Sequence, residues 1–178
     1  MSDKDLQSSY VVLNRGHAES ERLNQQYQFY KQFHQHPTVS IPPTGAVLDA
    51  GTGTGAWILE IAQELSLSVS LHAVDLAPSL WPSSSIPSNV HYLVSSVTSL
   101  PEEWTNKFDL VNQSLLSGAL KAADWPMAVS ELYRVTKAGG HVQLCEITRA
   151  PPYLNAPSEA EAESASGRVW RFMMRLTD

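Results

Sequence analysis

A chain of 178 residues is long enough to bury one core, and its 43% hydrophobic and 17% charged content is that of an ordinary soluble globular domain. A net charge of −6 argues against the broad basic surface that nucleic-acid backbones require, and no apolar run reaches the roughly 18 residues of a membrane span. The polar start MSDKDLQSSY lacks the form of a secretory signal, and the lone Cys145 has no internal disulfide partner. A cytoplasmic setting is therefore expected, with the nucleus also compatible, and a small-molecule partner rather than nucleic acid or membrane.

Helical spacing of Leu23, Tyr27, Tyr30 and Phe33 predicts a helix over Glu19 to Phe33, broken by His36-Pro37 and Ile41-Pro-Pro43. Residues 1–44 thus read as a helical lead and cap. A regular alternation follows: strand Ala46–Ala50, a glycine turn, helix Trp57–Leu65, and strands Ser68–Val74, Val90–Val94 and Phe108–Asn112. The amphipathic stretch Asp124–Thr136 carries Ala128, Leu132 and Val135 on one side and is closed by Lys137-Ala-Gly-Gly140; Gly140–Ile147 is the fifth strand. Strands separated by helices imply right-handed crossovers. The expected fold over residues 45–150 is α/β, a Rossmann-like doubly wound parallel sheet of about five strands with helices on both faces. Residues 151–178 read as a Pro/Ala/Glu/Ser-rich link, Pro151–Ser166, and a C-terminal helix, Gly167–Leu176.

The segment Val47-Leu-Asp-Ala-Gly-Thr-Gly-Thr-Gly-Ala56 leaves a strand and enters a helix. Glycines there permit a tight turn and close approach of a ligand to the backbone, while the helix start offers unpaired N–H groups. Gly51, Gly53 and Ala56 satisfy the dinucleotide pattern G-x-G-x-x-A, which alone is a weak signal. Asp75 ends the second strand at the spacing of an acid that accepts both hydroxyls of a ribose. Asp49, just before the glycines, would repel a pyrophosphate and favour a cationic amino-acid head carrying a sulfonium.

The order Val47-Leu-Asp-Ala-Gly-Thr-Gly-Thr-Gly55, Val74-Asp-Leu76, Phe108-Asp-Leu-Val111 and Glu131-Leu-Tyr-Arg-Val-Thr-Lys-Ala-Gly-Gly140 resembles class I S-adenosylmethionine-dependent methyltransferases. The front motif Tyr10-Val-Val-Leu-Asn-Arg-Gly-His-Ala-Glu-Ser-Glu-Arg-Leu23, Asp124-Trp125 and Gly139-Gly-His-Val-Gln-Leu-Cys-Glu146 are similar to fungal methyltransferases of secondary metabolism and its regulation. The resemblance implies S-adenosylmethionine as cofactor and methyl transfer to a small molecule. Asp49, Gly51 and Gly53 would surround its methionine part, with Thr52 beside them, and Tyr10 would close over that end. Asp75 would hold the ribose and Leu76 would lie against the adenine. Ser96, followed by Val97, occupies the position where the family often carries an acid for the adenine amino group. Gln113 and Ser114 would border the sulfonium and the substrate.

The histidines His17, His34, His36, His72, His91 and His141 show no metal-ligand spacing, so no metal is expected. Cys145 is expected in the core, Glu146 either touches substrate or orients a neighbour, and no residue is nominated as catalytic base. The family carries a sixth and a seventh strand, and no strand signal is read after Ile147, so a C-terminally short form is expected. That would expose the fifth strand as an edge, to be covered by a partner or a second copy. A truncated or non-catalytic regulatory or interaction subunit is the alternative function, and an oxidoreductase a distant third.

Overall fold

A computed structural model describes residues 16–31, 39–148 and 168–175. In chain order the elements are α1 (His17–Tyr30), β1 (Ala46–Ala50), α2 (Ala56–Glu64), β2 (Ser70–Asp75), β3 (Val90–Val94), β4 (Phe108–Ser114), α3 (Trp125–Val135), β5 (Thr136–Thr148) and β6 (Arg168–Arg175). The strands form one sheet in the order β3-β2-β1-β4-β5-β6, parallel from β3 to β5. The fold is the Rossmann-like doubly wound α/β sheet. Every residue of β1 is buried, as expected of a central strand covered on both faces.

Alternation along the strands divides the core in two. On one face Leu48, Ala50, Val74, Phe108 and Val111 pack with Ala128, Leu132 and Val135 of α3. On the other, Val47, Leu71, Ala73 and Leu110 pack with Trp57, Ile58, Ile61 and Ala62 of α2. Phe108 is completely buried and meets the Trp104 ring edge-on at 5.3 Å. Truncation of Phe108 to alanine should cost about 3–5 kcal/mol, read as a lowered urea midpoint with little change in slope.

Two ionic brackets set the frame at the end of the sheet remote from the glycine turn. Asp109 Oδ2 accepts from the Ala46 N–H at 2.8 Å and pairs with Lys137 at 2.8 Å, tying together the starts of β1, β4 and β5. In the Glu131-Leu-Tyr-Arg134 motif, Arg134 pairs with Glu131 at 2.7 Å and donates to the Leu100 carbonyl at 3.0 Å. That motif therefore braces the loop before β4.

The C-terminal expectation is corrected. Residues Arg168–Arg175 form a strand, not a helix, and pair antiparallel with β5 from His141↔Arg175 to Thr148↔Arg168. An eight-residue stretch in which arginines are interspersed among Val169, Trp170, Phe172, Met173 and Met174 is too short for periodicity to separate helix from strand, and the long neighbouring edge of β5 decides the outcome. The fifth strand is thus covered by the chain itself. Among the described residues the sheet carries one strand after the fifth, and that edge of β5 needs no partner or second copy to cover it. β5 also begins at Thr136, earlier than Gly140, because it follows α3 directly and shifts register where it pairs with β4 between Phe108 and Leu110. The link Pro151–Ser166 lies outside the described residues. Among the described residues no helix is long and apolar enough to cross a membrane.

Candidate functional site

The chain winds from β1 outward through β2 to β3, then returns to the other side of β1 for β4. Neighbouring loops part at such a switch point, and ligands of open α/β sheets bind there, beyond the carboxyl ends of the strands. A cavity of about 510 Å³ occupies that place. Its wall is built from the end of β1 and its turn (Asp49, Gly51, Thr52, Gly53), the end of β2 (Asp75) and the end of β4 (Asn112, Ser114). The loop from Leu115 to Ala119 and one face of α1 complete it.

The glycine turn folds as the ligand-facing reading requires. Gly51, Gly53 and Gly55 have φ of 78°, 56° and 80°, in the left-handed region that glycine enters at little cost. The N–H groups of Gly51 and Thr52 both donate to the Val74 carbonyl at 2.9 Å, pinning the turn to β2. Asp75 Oδ2 accepts from the Gly53 N–H at 2.8 Å and Oδ1 from the Ala77 N–H at 2.9 Å. Its carboxylate is thereby oriented on both sides, with half of its roughly four acceptor positions still open.

Asp49 is deeper. The Thr52 hydroxyl donates to its Oδ2 at 2.6 Å and the Asn112 amide to its Oδ1 at 2.8 Å. Burial dominates and pushes its pKa up to about 6, against these two hydrogen bonds, with the nearby Asp75 charge adding to the rise.

The far wall is held by β5. Glu146 accepts from the N–H groups of Leu116 and Ser117, both at 2.9 Å, and burial raises its pKa. Of the two roles read for Glu146, this bonding gives it the orienting one. Leu115, at the corner, adopts φ of 59° and donates to the Cys145 carbonyl at 2.8 Å.

Helix α1 supplies Glu19, Arg22, Leu23, Gln26 and Tyr27 to the cavity. Arg22 grips both oxygens of Glu19 at 2.7 Å, and that pairing holds Glu19 below the usual carboxylate range. The helix is anchored by Asn24, which accepts from the Thr54 hydroxyl at 2.6 Å, and by Tyr27 and Lys31, which both reach Glu60 on α2.

Of the residues expected from the sequence, Asp49, Gly51, Thr52, Gly53, Asp75 and Ser114 share this wall. Leu76, Ser96, Val97 and Gln113 do not. Val97 is buried in the α3-side core, and Ser96 bonds to Thr98 at 2.7 Å within its own turn. Gln113 is fully buried and faces away, because Asn112 and Ser114 take the cavity side of β4 and successive residues alternate. Strand alternation was the signal that could have exchanged Gln113 for Asn112. Tyr10 lies outside the described residues.

Residues 47–140, just over half of the chain, match the methyltransferase domain family. The chain belongs to that family. This methyltransferase domain is 32% identical over 148 residues to N-methyltransferase sirN of Leptosphaeria maculans, covering 80% of this chain and 51% of that protein. It is 31% identical to N-methyltransferase gliN of Aspergillus fumigatus, covering 80% and 51%, and 29% identical to methyltransferase grgD of a Penicillium species, covering 95% and 59%. The chain spans about half the length of the curated relatives it matches. Solved structures with the same fold include a Haloferax volcanii methyltransferase in complex with the Trm112 activator, at a TM-score of 0.59, 16% identity and coverage of 74% and 57%. Another is the geranyl diphosphate C-methyltransferase of Streptomyces coelicolor bound to S-adenosyl-L-homocysteine, at 0.54, 17%, 81% and 53%.

Proposed function

We propose that the cavity binds S-adenosylmethionine and that the domain serves methyl transfer to a small molecule of secondary metabolism. The observation that carries this reading is a pair of buried carboxylates, Asp49 and Asp75, at the ends of adjacent parallel strands in one cavity beside a left-handed glycine turn. A pyrophosphate at the glycine turn would meet the Asp49 charge, so a dinucleotide is disfavoured, while Asp75 suits the ribose of either kind of cofactor. A cofactor with a cationic amino acid at one end and a neutral nucleoside at the other suits both acids. Asp75, with open acceptor positions, receives the ribose hydroxyls. Asp49 receives the ammonium. Ala77 and Leu80 offer apolar surface beside Asp75 for the base, the part sequence reasoning gave to Leu76.

When bound, the cofactor supplies an electrophilic methyl on a sulfonium, open to direct displacement by an acceptor lone pair. The protein's part is to hold the two reactants in line and exclude water, which can supply much of the acceleration without a covalent intermediate. The wall left for the acceptor is Ser114, the loop from Leu115 to Ala119, and the Glu19 and Arg22 side of α1. Glu146, by clamping the Leu116 and Ser117 amides, keeps that loop in place. Relatives named as N-methyltransferases support nitrogen as the accepting atom.

Calorimetric titration with S-adenosylmethionine and its demethylated product tests the reading. Micromolar binding is expected at pH 7.5. An ammonium needs Asp49 ionised, and its raised pKa is about 6. Affinity is therefore full above that pH and falls about tenfold per pH unit below it. For the ligand-free chain the sign is opposite: burial favours the protonated acid, so stability declines as pH rises from the ordinary carboxylate value toward 6. A folded chain that binds neither compound would sink the proposal. Binding with no turnover on any amine acceptor would favour the interaction-subunit alternative.

A further inference from the structure

Three polar side chains stand side by side on one face of the sheet and are joined by hydrogen bonds. Asp49 of β1, Asn112 of β4 and Gln143 of β5 are direct register partners, so their side chains leave the same face side by side. They are 3%, 0% and 1% exposed. Gln143 Nε2 donates to Asn112 Oδ1 at 2.8 Å, and Asn112 Nδ2 donates to Asp49 Oδ1 at 2.8 Å. Ser114 adds a longer donation, 3.4 Å, to the same Asn112 oxygen.

A buried asparagine beside a carboxylate has two orientations of opposite consequence. With its NH2 forward it stabilises the charge, and with its carbonyl forward it repels it. With Gln143 donating to the Asn112 oxygen, the Asn112 NH2 faces Asp49, and the donors run in one direction from Gln143 to Asp49. Gln143 Oε1 has no hydrogen-bond partner among the described residues. Gln113 on β4 is also buried, with neither amide atom partnered among the described residues; Gln143 differs from it in that its NH2 is spent on Asn112.

We infer that Gln143 is a positioning residue, acting through Asn112 to keep the Asp49 carboxylate ionised and aimed into the cavity. The inference rests on the proposed function for the role of Asp49, although the ladder itself exists without ligand. Other groups around Asp49 do not substitute for it. Asp75 from β2 opposes ionisation, and Tyr27 of α1 and Tyr92 of β3 are held in their neutral forms, chiefly by burial. Glu19 and Arg22 of α1 are paired to each other, and Glu146 of β5 is turned to the loop amides. Among the described residues Thr52 shares the task, from the opposite side.

The test is a carboxyl carbon-13 NMR titration of the ligand-free chain beside calorimetric binding of S-adenosylmethionine, in wild type and Gln143→Met. The ladder predicts that the Asp49 midpoint rises by about one pH unit in the variant. Affinity at pH 7.5 should fall on the order of fivefold, the equivalent of one hydrogen bond. Val142→Ala, a core truncation on the same strand, should lower stability and leave the midpoint in place. A measurement on the unaltered chain guards against misfolding of the variant: titrating Asp49 must shift the Gln143 side-chain amide resonances together with those of Asn112. An unmoved midpoint in Gln143→Met, or a Gln143 amide indifferent to Asp49, overturns the inference. A wild-type chain that titrates with this coupling and yet fails to bind the cofactor would overturn the proposed function instead.

Discussion

Replacing Asp75 with alanine should lower affinity for S-adenosylmethionine by about 100-fold or more. The magnitude follows from two hydrogen bonds to a charged acceptor, worth about 1.5–3 kcal/mol each, and each 1.4 kcal/mol is about a factor of ten. The alanine variant carries a second effect. Asp75 also accepts from the Gly53 and Ala77 N–H groups, at 2.8 and 2.9 Å, so truncation leaves two donors unpaired and loosens the turn that the cofactor must meet. Asp75→Asn separates the two effects. Its carbonyl oxygen can still accept from one of those N–H groups, while the charge and one acceptor group are gone. A smaller loss of stability than in the alanine variant, because one of the two N–H groups keeps its acceptor, with affinity lowered about tenfold, is the expected pattern for asparagine, read by thermal denaturation and calorimetry on the same preparations. An asparagine variant that binds as tightly as wild type would remove Asp75 from the ribose and leave it as a brace of the turn.

The parallel core was legible because its signals are local and agree with one another. β1 is apolar except for Asp49, and the glycines after it have a mechanical reason to stand there. α3 repeats its buried residues at helical spacing. What sequence reasoning missed is what depends on a neighbour. The Arg168–Arg175 run has no strong period of its own and becomes a strand where β5 offers an unpaired edge. The cavity face of α1 is mixed, with Glu19, Arg22 and Gln26 beside Leu23 and Tyr27, because it looks into a cavity rather than onto a core. An apolar-period reading finds the helix and overlooks its polar lining. Gln113 shows a third kind of miss. The resemblance implies a place for it beside the sulfonium, but on a strand the side matters as much as the end, and its neighbour Asn112 is the residue that faces Asp49. Glu146 reaches the cavity only through the loop it clamps, a role that requires the fold to be seen.

Gly51→Ala should destabilise the fold by about 2–4 kcal/mol, in two separable parts. The first is conformational. At φ of 78° an alanine pays about 1–2 kcal/mol for the left-handed region. The second is steric. A β-carbon at Gly51 would stand 2.7 Å from Leu116 Cδ1 and 2.8 Å from Cδ2. Leu116 cannot simply retreat, because it is 5% exposed, its N–H is held by Glu146, and the preceding Leu115 already occupies a left-handed corner. It would have to swing into the cavity whose wall it shares with Gly51, so cofactor affinity should fall together with stability. A double-mutant cycle with Leu116→Ala apportions the cost. Alone, that truncation of a buried leucine should cost about 2–3 kcal/mol. On its background Gly51→Ala should cost only the conformational part, so the pair couples by about 1–2 kcal/mol in the stabilising direction. Urea denaturation of the four proteins reads this directly. Equal costs for Gly51→Ala on both backgrounds would mean that Leu116 exerts no pressure on the turn. The glycine would then be required by its backbone alone, and the cavity wall would be softer at this corner than the contact distances imply.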